Sequence, residues 1–476
     1  VASRRDLFQS YQFMIQRVVS SVVLRETDPL QSPLRRMGGA AFASVMIAVI
    51  SLAAAGVIGL VKPGGNKTWR DGAAVIVDSS SGAQYVYLKD SSGEFQLHPV
   101  PNLASGALLI GTPDTVDVAS RSLDDVPRAA PMGIVGAPDA LPAADQLSTE
   151  AWTLCSLRAE NISGEELPNT SLSIGRTYTE GADLGDNGVL VRDTEAGGLY
   201  LVANGRRYAI PQEAPVLDGL GLRNVPQIRV GSAWISAIPA GQDLAPVPVA
   251  GAGSPSSIVD GGYVGQVRSV ATPDRTHQYY LVLADQLQPL TQTQAMVTVA
   301  DPALAVAYPQ TGAPTVLDLS PAVAASAPKV PVPEESPADL PAAAPEMMSN
   351  ASDRATVCAS YESSEAVPSI AVEARVEGAE MAPATESRTQ NGTVLADRVQ
   401  VDGGSGVLVQ SMLSPGSTDS MLYLVTDRGQ RFAIIGEDAR GALGYQNATP
   451  VAMPASLVAR IPEGPALDPA AARTAI

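Results

Sequence analysis

From Met37 to Val61 the chain runs 25 residues without a charge, bounded by Arg36 and Lys62. A helix rises about 1.5 Å per residue, so the run exceeds the roughly 30 Å hydrocarbon core of a bilayer. It predicts one transmembrane helix over 37–61, with some tilt. A cleaved signal peptide fits poorly, because its apolar region is about 7–15 residues behind a short basic lead. Here 36 residues precede the run. A buried core helix would rarely be so long and uncharged. Arg35 and Arg36 flank the upstream edge, and Arg4, Arg5, Arg17 and Arg25 lie before them. The positive-inside rule therefore puts the N-terminus in the cytoplasm and the acidic remainder outside. The whole chain of 476 residues holds 31 basic and 49 acidic residues, net −18, which argues against a nucleic-acid partner.

Residues 1–36 read as a cytoplasmic amphipathic helix, with Asp6 as the expected cap of a helix starting at Leu7. Leu7, Phe8, Tyr11, Met14, Ile15, Val18, Val19, Val22 and Val23 recur at helical spacing, with Arg and Gln mostly off that stripe. So short a piece cannot build a core, so Leu7, Tyr11, Met14, Val18 and Val22 are expected to dock on the membrane surface or a partner helix.

Beyond the span the chain repeats itself. GVLV occurs at 188–191 and 406–409, and LYLV at 199–202 and 422–425. Arg207-Tyr208-Ala209-Ile210 parallels Arg431-Phe432-Ala433-Ile434, Leu220-Gly221 parallels Leu443-Gly444, and IPAGQDLAP at 238–246 parallels IPEGPALDP at 461–469. Shared spacing over such a length marks two copies of one unit. Two fainter copies begin with AVIVD at 74–78 and GQVRSV at 265–270. Apolar runs separated by Gly, Asp and Ser predict strands and hairpins, with a helix and a closing segment after the Leu-Gly. The abundance of Gly (42) and Pro (38) suits short strands and many turns.

The expected fold is a single-pass membrane protein whose extracytoplasmic α+β part sets four small repeat modules around a discontinuous, disulfide-tied β-rich central domain. Repeats are placed at 69–112, 188–250, 258–320 and 401–476, and the central domain at 113–187 and 346–400. A Pro/Ala linker at 321–345 is expected to be extended, with a second joint at AGAGSPSS, 250–257. Two cysteines outside the membrane make a Cys155–Cys358 bond the default, with two free thiols as the alternative. The bond would close a loop worth roughly 5 kcal/mol in the chain-entropy model.

Catalytic and metal signals are weak. Two His and two Cys are too few for a side-chain metal cage or a Ser–His–Asp site. Gly64-Gly65-Asn66-Lys67-Thr68 lacks the glycine a P-loop requires before its Lys. AVIVD, ending at Asp78, resembles a magnesium-positioning strand but is also an ordinary strand ending; Asp78 and Lys89 are the first residues to try for nucleotide chemistry. The pairs Asp124-Asp125, Glu165-Glu166 and Glu334-Glu335 read as solvated acids rather than glycosidase carboxylates. No catalytic residue, cofactor or metal site is expected.

Taken together, this layout resembles the EccB family of actinobacterial type VII (ESX) secretion systems. Ser10-Tyr-Gln-Phe-x3-Arg17 looks like the family's helix before the span, and Pro33-Leu34-Arg35-Arg36 its membrane entry. Ala151-Trp152-Thr153-x-Cys155 and Thr356-Val357-Cys358 look like its cysteine motifs, and the 461–469 segment like its C-terminal signature. The resemblance implies a structural subunit in the cell (inner) membrane complex, its large domain periplasmic. It implies EccC-, EccD- and EccE-like partners, a neighbouring mycosin protease, and self-pairing within a hexameric assembly. An ATPase subunit is the alternative, since some members carry that name. A membrane-anchored cell-wall (peptidoglycan) binder is a further one, because small repeats often bind polymers.

Overall fold

A computed structural model of the chain describes residues 3–24, 33–61, 67–90, 92–160, 163–273, 275–334, 336–349 and 351–476. It forms two compact units, one of residues 1–71 with 78–82 and 117–126, the other of the remainder.

The first unit carries two helices, α1 (Arg4–Leu24) and α2 (Pro33–Val61). The cap of α1 is Ser3 rather than Asp6. Asp6 N donates to Ser3 Oγ at 3.4 Å while Ser3 N donates to the Asp6 carboxylate at 3.0 Å, a reciprocal box in which Asp6 is the third helical residue. Helix α2 contains the whole uncharged run and, at 29 residues, is about 44 Å long. The side chains at 33–37, 55 and 57–61, which include both ends of that run, lie outside the described ones. Among the described residues no helix is long and apolar enough to cross a membrane.

The rest is built from one motif used four times and a six-stranded central sheet. The first sheet holds β1 (Val75–Asp78), β2 (Gln84–Lys89), β3 (Phe95–Val100) and, after α3 (Leu103–Ile110), β4 (Thr115–Val118), in the order β3-β2-β1-β4. Next come β5 (Trp152–Glu160), β6 (Glu166–Ile174) and β7 (Ala182–Asp183) of the central sheet. A second motif follows: β8 (Gly188–Asp193), β9 (Leu199–Ala203), β10 (Arg206–Ala209), α4 (Glu213–Gly219), β11 (Gln227–Val230) and α5 (Ser232–Ala237). The third is β12 (Val267–Ala271), β13 (His277–Val282), β14 (Leu287–Leu290), α6 (Gln292–Val299), β15 (Leu317–Asp318) and α7 (Pro321–Ser326). The chain then returns to the central sheet with β16 (Val357–Tyr361), β17 (Ser369–Val372) and β18 (Arg398–Gln400). It ends in β19 (Gly406–Met412), β20 (Ser420–Thr426), β21 (Arg431–Ala433), α8 (Gly436–Ala442), β22 (Val451–Pro454) and α9 (Ala455–Val458). The later motifs keep the first one's order: β10-β9-β8-β11, β14-β13-β12-β15 and β21-β20-β19-β22, with the last strand parallel to the first.

Local chemistry explains the shared pattern. The β9–β10 turn is Asn204-Gly205, both at positive φ (51° and 68°), as a two-residue hairpin requires. Helices α4 and α8 precede their Leu-Gly pairs, and the expected helix after each pair is α5 and α9, lying just ahead of the closing segment. Leu220 and Leu443 are the caps, and Gly221 and Gly444 take the left-handed conformation that ends a helix. A closing segment then bonds to the third strand identically in every copy. Leu97, Arg207, Leu287 and Arg431 each donate N–H to a proline carbonyl, from Pro127, Pro239, Pro328 and Pro462, at 2.9 Å. Each accepts an N–H from two residues after that proline.

This bonding moves several expected boundaries. Strand β4 pairs with β1, although it falls in the stretch expected to be central. The stretch expected to be an extended linker opens with α7 and then supplies Pro328, so its first ten residues belong with the third sheet. AGAGSPSS folds back through Gly253 N to Val264 O and Ser256 N to Gly262 O.

The six central strands run β18-β6-β5-β16-β17-β7, interleaving the two sequence-distant parts. The main core joins this sheet (Trp152, Leu154, Val357) to the second motif (Val191, Trp234) and the fourth (Val409, Leu457). The Trp234 indole N–H donates to Leu154 O at 3.1 Å, pinning α5 to the sheet. The first motif packs Ala104 and Leu108 against Leu424, Phe432 and Leu443 of the fourth. Val297 of the third joins Leu190 and Val216 of the second.

Candidate functional site

The residues expected to dock stand free in this chain. Leu7, Tyr11, Met14, Val18 and Val22 of α1 are all more than half exposed, as are Phe8 and Phe13. The first five span one narrow stripe of the helix. Asp6 at the first turn complements the helix dipole.

Cys155 and Cys358 are bonded, at directly opposed positions of the antiparallel β5–β16 pair. Both are buried, against Leu157, Ala371, Ala374 and Val376. The bridge ties the two halves of the central sheet across the intervening motifs.

The nucleotide candidates are engaged otherwise. The Asp78 carboxylate accepts from Ser120 Oγ (2.7 Å), Ser81 Oγ (2.8 Å), Ser80 Oγ (2.9 Å) and Ser80 N (3.0 Å). These donors, Ser120 foremost, hold its pKa well below the usual carboxylate range. Asp193, at the matching end of β8, likewise accepts from Ser232 Oγ at 2.7 Å and from Glu195 N and Ala196 N. The Asp78 cluster is thus a turn device that recurs. The Lys89 ammonium lies 5.1 Å from the Phe95 ring centre. Residues 64–66 of the P-loop-like stretch, and Glu335 of one acidic pair, lie outside the described residues. Glu166 sits 3.6 Å from Arg354. His98 Nδ1 is 3.1 Å from Ala130 O. Among the described residues no group of three His, Cys, Asp or Glu side chains could hold a metal.

One feature that the sequence did not single out is a polar cleft of about 610 Å³ beside β21. The loop 383–395 forms one wall, the turn at Arg428–Gln430 another, and Arg431, Pro462 and Glu463 line it as well. Arg431 is only 9% exposed, its Nη2 bonded to Glu463 at 2.7 Å and its guanidinium 4.9 Å from the Tyr423 ring centre. Among the described residues its Nε has no acceptor. The available signal was Glu463 itself, which stands where the otherwise matching second motif has Ala240.

Comparison with known proteins places the whole chain. The family profile described as "Type VII secretion system ESX-1, transport TM domain B" matches residues 2–476. The protein named "ESX-3 secretion system ATPase EccB3" of Mycolicibacterium smegmatis is 30% identical, over 98% of this chain and 89% of its own. A chain of an intact ESX-5 inner membrane complex superposes with a TM-score of 0.59 at 26% identity, covering 100% of this chain and 96% of that one. A chain of the periplasmic assembly from the ESX-5 inner membrane complex gives 0.55 at 25% identity, covering 88% and 98%.

Proposed function

The chain belongs to the EccB family of type VII (ESX) secretion, and from that premise we propose that its four-motif domain is a scaffold held to the membrane by α2. It is a component of the ESX inner membrane complex, through which proteins are exported. The observation that carries this is the match to a chain of an intact ESX-5 inner membrane complex along the full length.

In this reading α2 spans the membrane once, α1 stays in the cytoplasm and the sheets lie on the periplasmic side. The 25 uncharged residues inside one 29-residue helix and the flanking Arg35-Arg36 support that orientation. The exposed stripe Leu7, Tyr11, Met14, Val18 and Val22 docks on partner helices, with EccC-, EccD- and EccE-like subunits as its expected neighbours. A mycosin protease and further copies of this chain, paired within a hexamer, meet the periplasmic domain. The ATPase in relatives' names is the competing reading. It gains little from Asp78, whose oxygens are occupied by serines, or from Lys89, which lies over Phe95.

The test removes residues 7–23 and leaves α2 intact. The shortened protein is expected to stay in the membrane fraction but to lose its partners on purification. Unchanged co-purification would defeat the docking assignment.

A further inference from the structure

The chain contains three Asn-Gly steps, at 187–188, 204–205 and 391–392. Glycine has no side chain to shield its amide nitrogen, so in such a step that nitrogen reaches the asparagine side-chain carbonyl wherever the backbone is free to turn. The fold withholds that freedom from two of the three. Asn187 Nδ2 donates to Leu184 O at 3.1 Å and Gly188 N to Glu346 O at 2.8 Å, and a Cβ on buried Gly188 would stand 2.9 Å from Pro345 Cγ. Asn204-Gly205 is the β9–β10 turn, closed directly by the Ala203–Arg206 pair. A Cβ on Gly205 would stand 2.7 Å from Pro368 O and 2.8 Å from Val367 Cβ, so a third segment braces that turn.

Asn391-Gly392 is held by much less. Both residues are exposed at the tip of the loop 383–395, and a Cβ on Gly392 would meet nothing within 4 Å. Among the described residues the Asn391 side chain has no hydrogen-bond partner. The Gly392 amide donates one hydrogen bond, to Thr389 O at 2.9 Å, at a loop tip where local opening costs least. The base of the loop is anchored separately, by Leu395 N to Ser387 O at 3.0 Å and by Arg388 to Glu195 at 2.8 Å, so the tip opens without undoing the loop.

We propose that the fold confines spontaneous deamidation to Asn391. Gly392 N attacks Asn391 Cγ, the N–Cγ bond forms and the Cγ–Nδ2 bond breaks. Ammonia leaves with the proton that Gly392 N gives up, and a cyclic imide remains. Water then opens either imide carbonyl, giving aspartate or, with the backbone rerouted through the former side chain, isoaspartate. Each product adds a carboxylate to the wall of the cleft beside β21, where Glu386 and Glu463 already stand.

The experiment ages the full-length protein in lipid nanodiscs, in mildly alkaline buffer made with heavy-oxygen water, then digests it in ordinary water. Mass spectrometry of the three Asn-Gly peptides counts only the carboxylates formed during ageing. In the folded protein, label at Asn391 is expected to accumulate at least about tenfold faster than at Asn187 or Asn204, in both aspartyl and isoaspartyl forms. Ageing in urea should bring the three rates together, since the dipeptide is the same. Label at Asn391 no faster than at the other two in the folded protein, or a preference for it that persists unchanged in urea, would each overturn the assignment.

Discussion

Gly464 has no room for a side chain. A Cβ there would stand 2.2 Å from Phe432 Cε1, and at the matching Gly241 one would stand 2.3 Å from Tyr208 Cε1. Both rings are buried in the cores beneath the closing segments. The glycine of the IPxG signature is therefore a space requirement and not a turn requirement. Gly464→Ala should destabilise the domain by about 1–3 kcal/mol, as overpacking does, and Phe432→Leu should recover part of the loss. Denaturant unfolding of the single and double variants measures this. Asp78 makes a prediction of pH dependence. Its folded pKa is depressed by serine donors, so its stabilising contribution is complete above the unfolded carboxylate pKa and fades as pH falls through the folded value. The gap in melting temperature between wild type and Asp78→Asn should accordingly narrow on acidification. Asp397 runs the other way. Burial raises its pKa against the opposing Thr170 N–H at 2.6 Å, so its part in stability grows as pH drops through that raised value.

Among the elements, the hairpins were the most readable from sequence. GVLV and LYLV are buried, paired strands, and their spacing is preserved because each strand faces the core through the same residues. The fourth strands were not readable. QIRV of β11 and VAMP of β22 share only the demand for one buried, parallel ladder, which backbone groups satisfy whatever the side chains. Pro328 was hidden for the same reason, since its role is that of a carbonyl acceptor inside a Pro/Ala-rich stretch. The disulfide was legible from cysteine count and compartment, and β5–β16 register supplies the contact. The native protein should show no free thiol before reduction. Cys155→Ser should lower stability by about 2–5 kcal/mol. Since the bond joins strands already paired by hydrogen bonds, the variant should keep its far-ultraviolet circular dichroism while its unfolding midpoint falls.

At the scale of the molecule, the motifs pack in two pairs, first with fourth and second with third, while the second and fourth share the central core. A domain so assembled presents many surfaces held in fixed relation, which is what a scaffold needs. The cleft beside β21 escaped sequence reading because its parts come from three separated stretches, 383–399, 428–431 and 462–463. The proposed membrane anchor and the apolar α1 stripe, by contrast, rest on local runs that any reading of the sequence reveals. The central claim, that this chain is a structural subunit, is tested most directly by purifying the tagged full-length protein from its native membranes and identifying by mass spectrometry what accompanies it. EccC-, EccD- and EccE-like subunits recovered in fixed ratio are the predicted result. Recovery of this protein alone, as a stable and homogeneous species, would contradict the account.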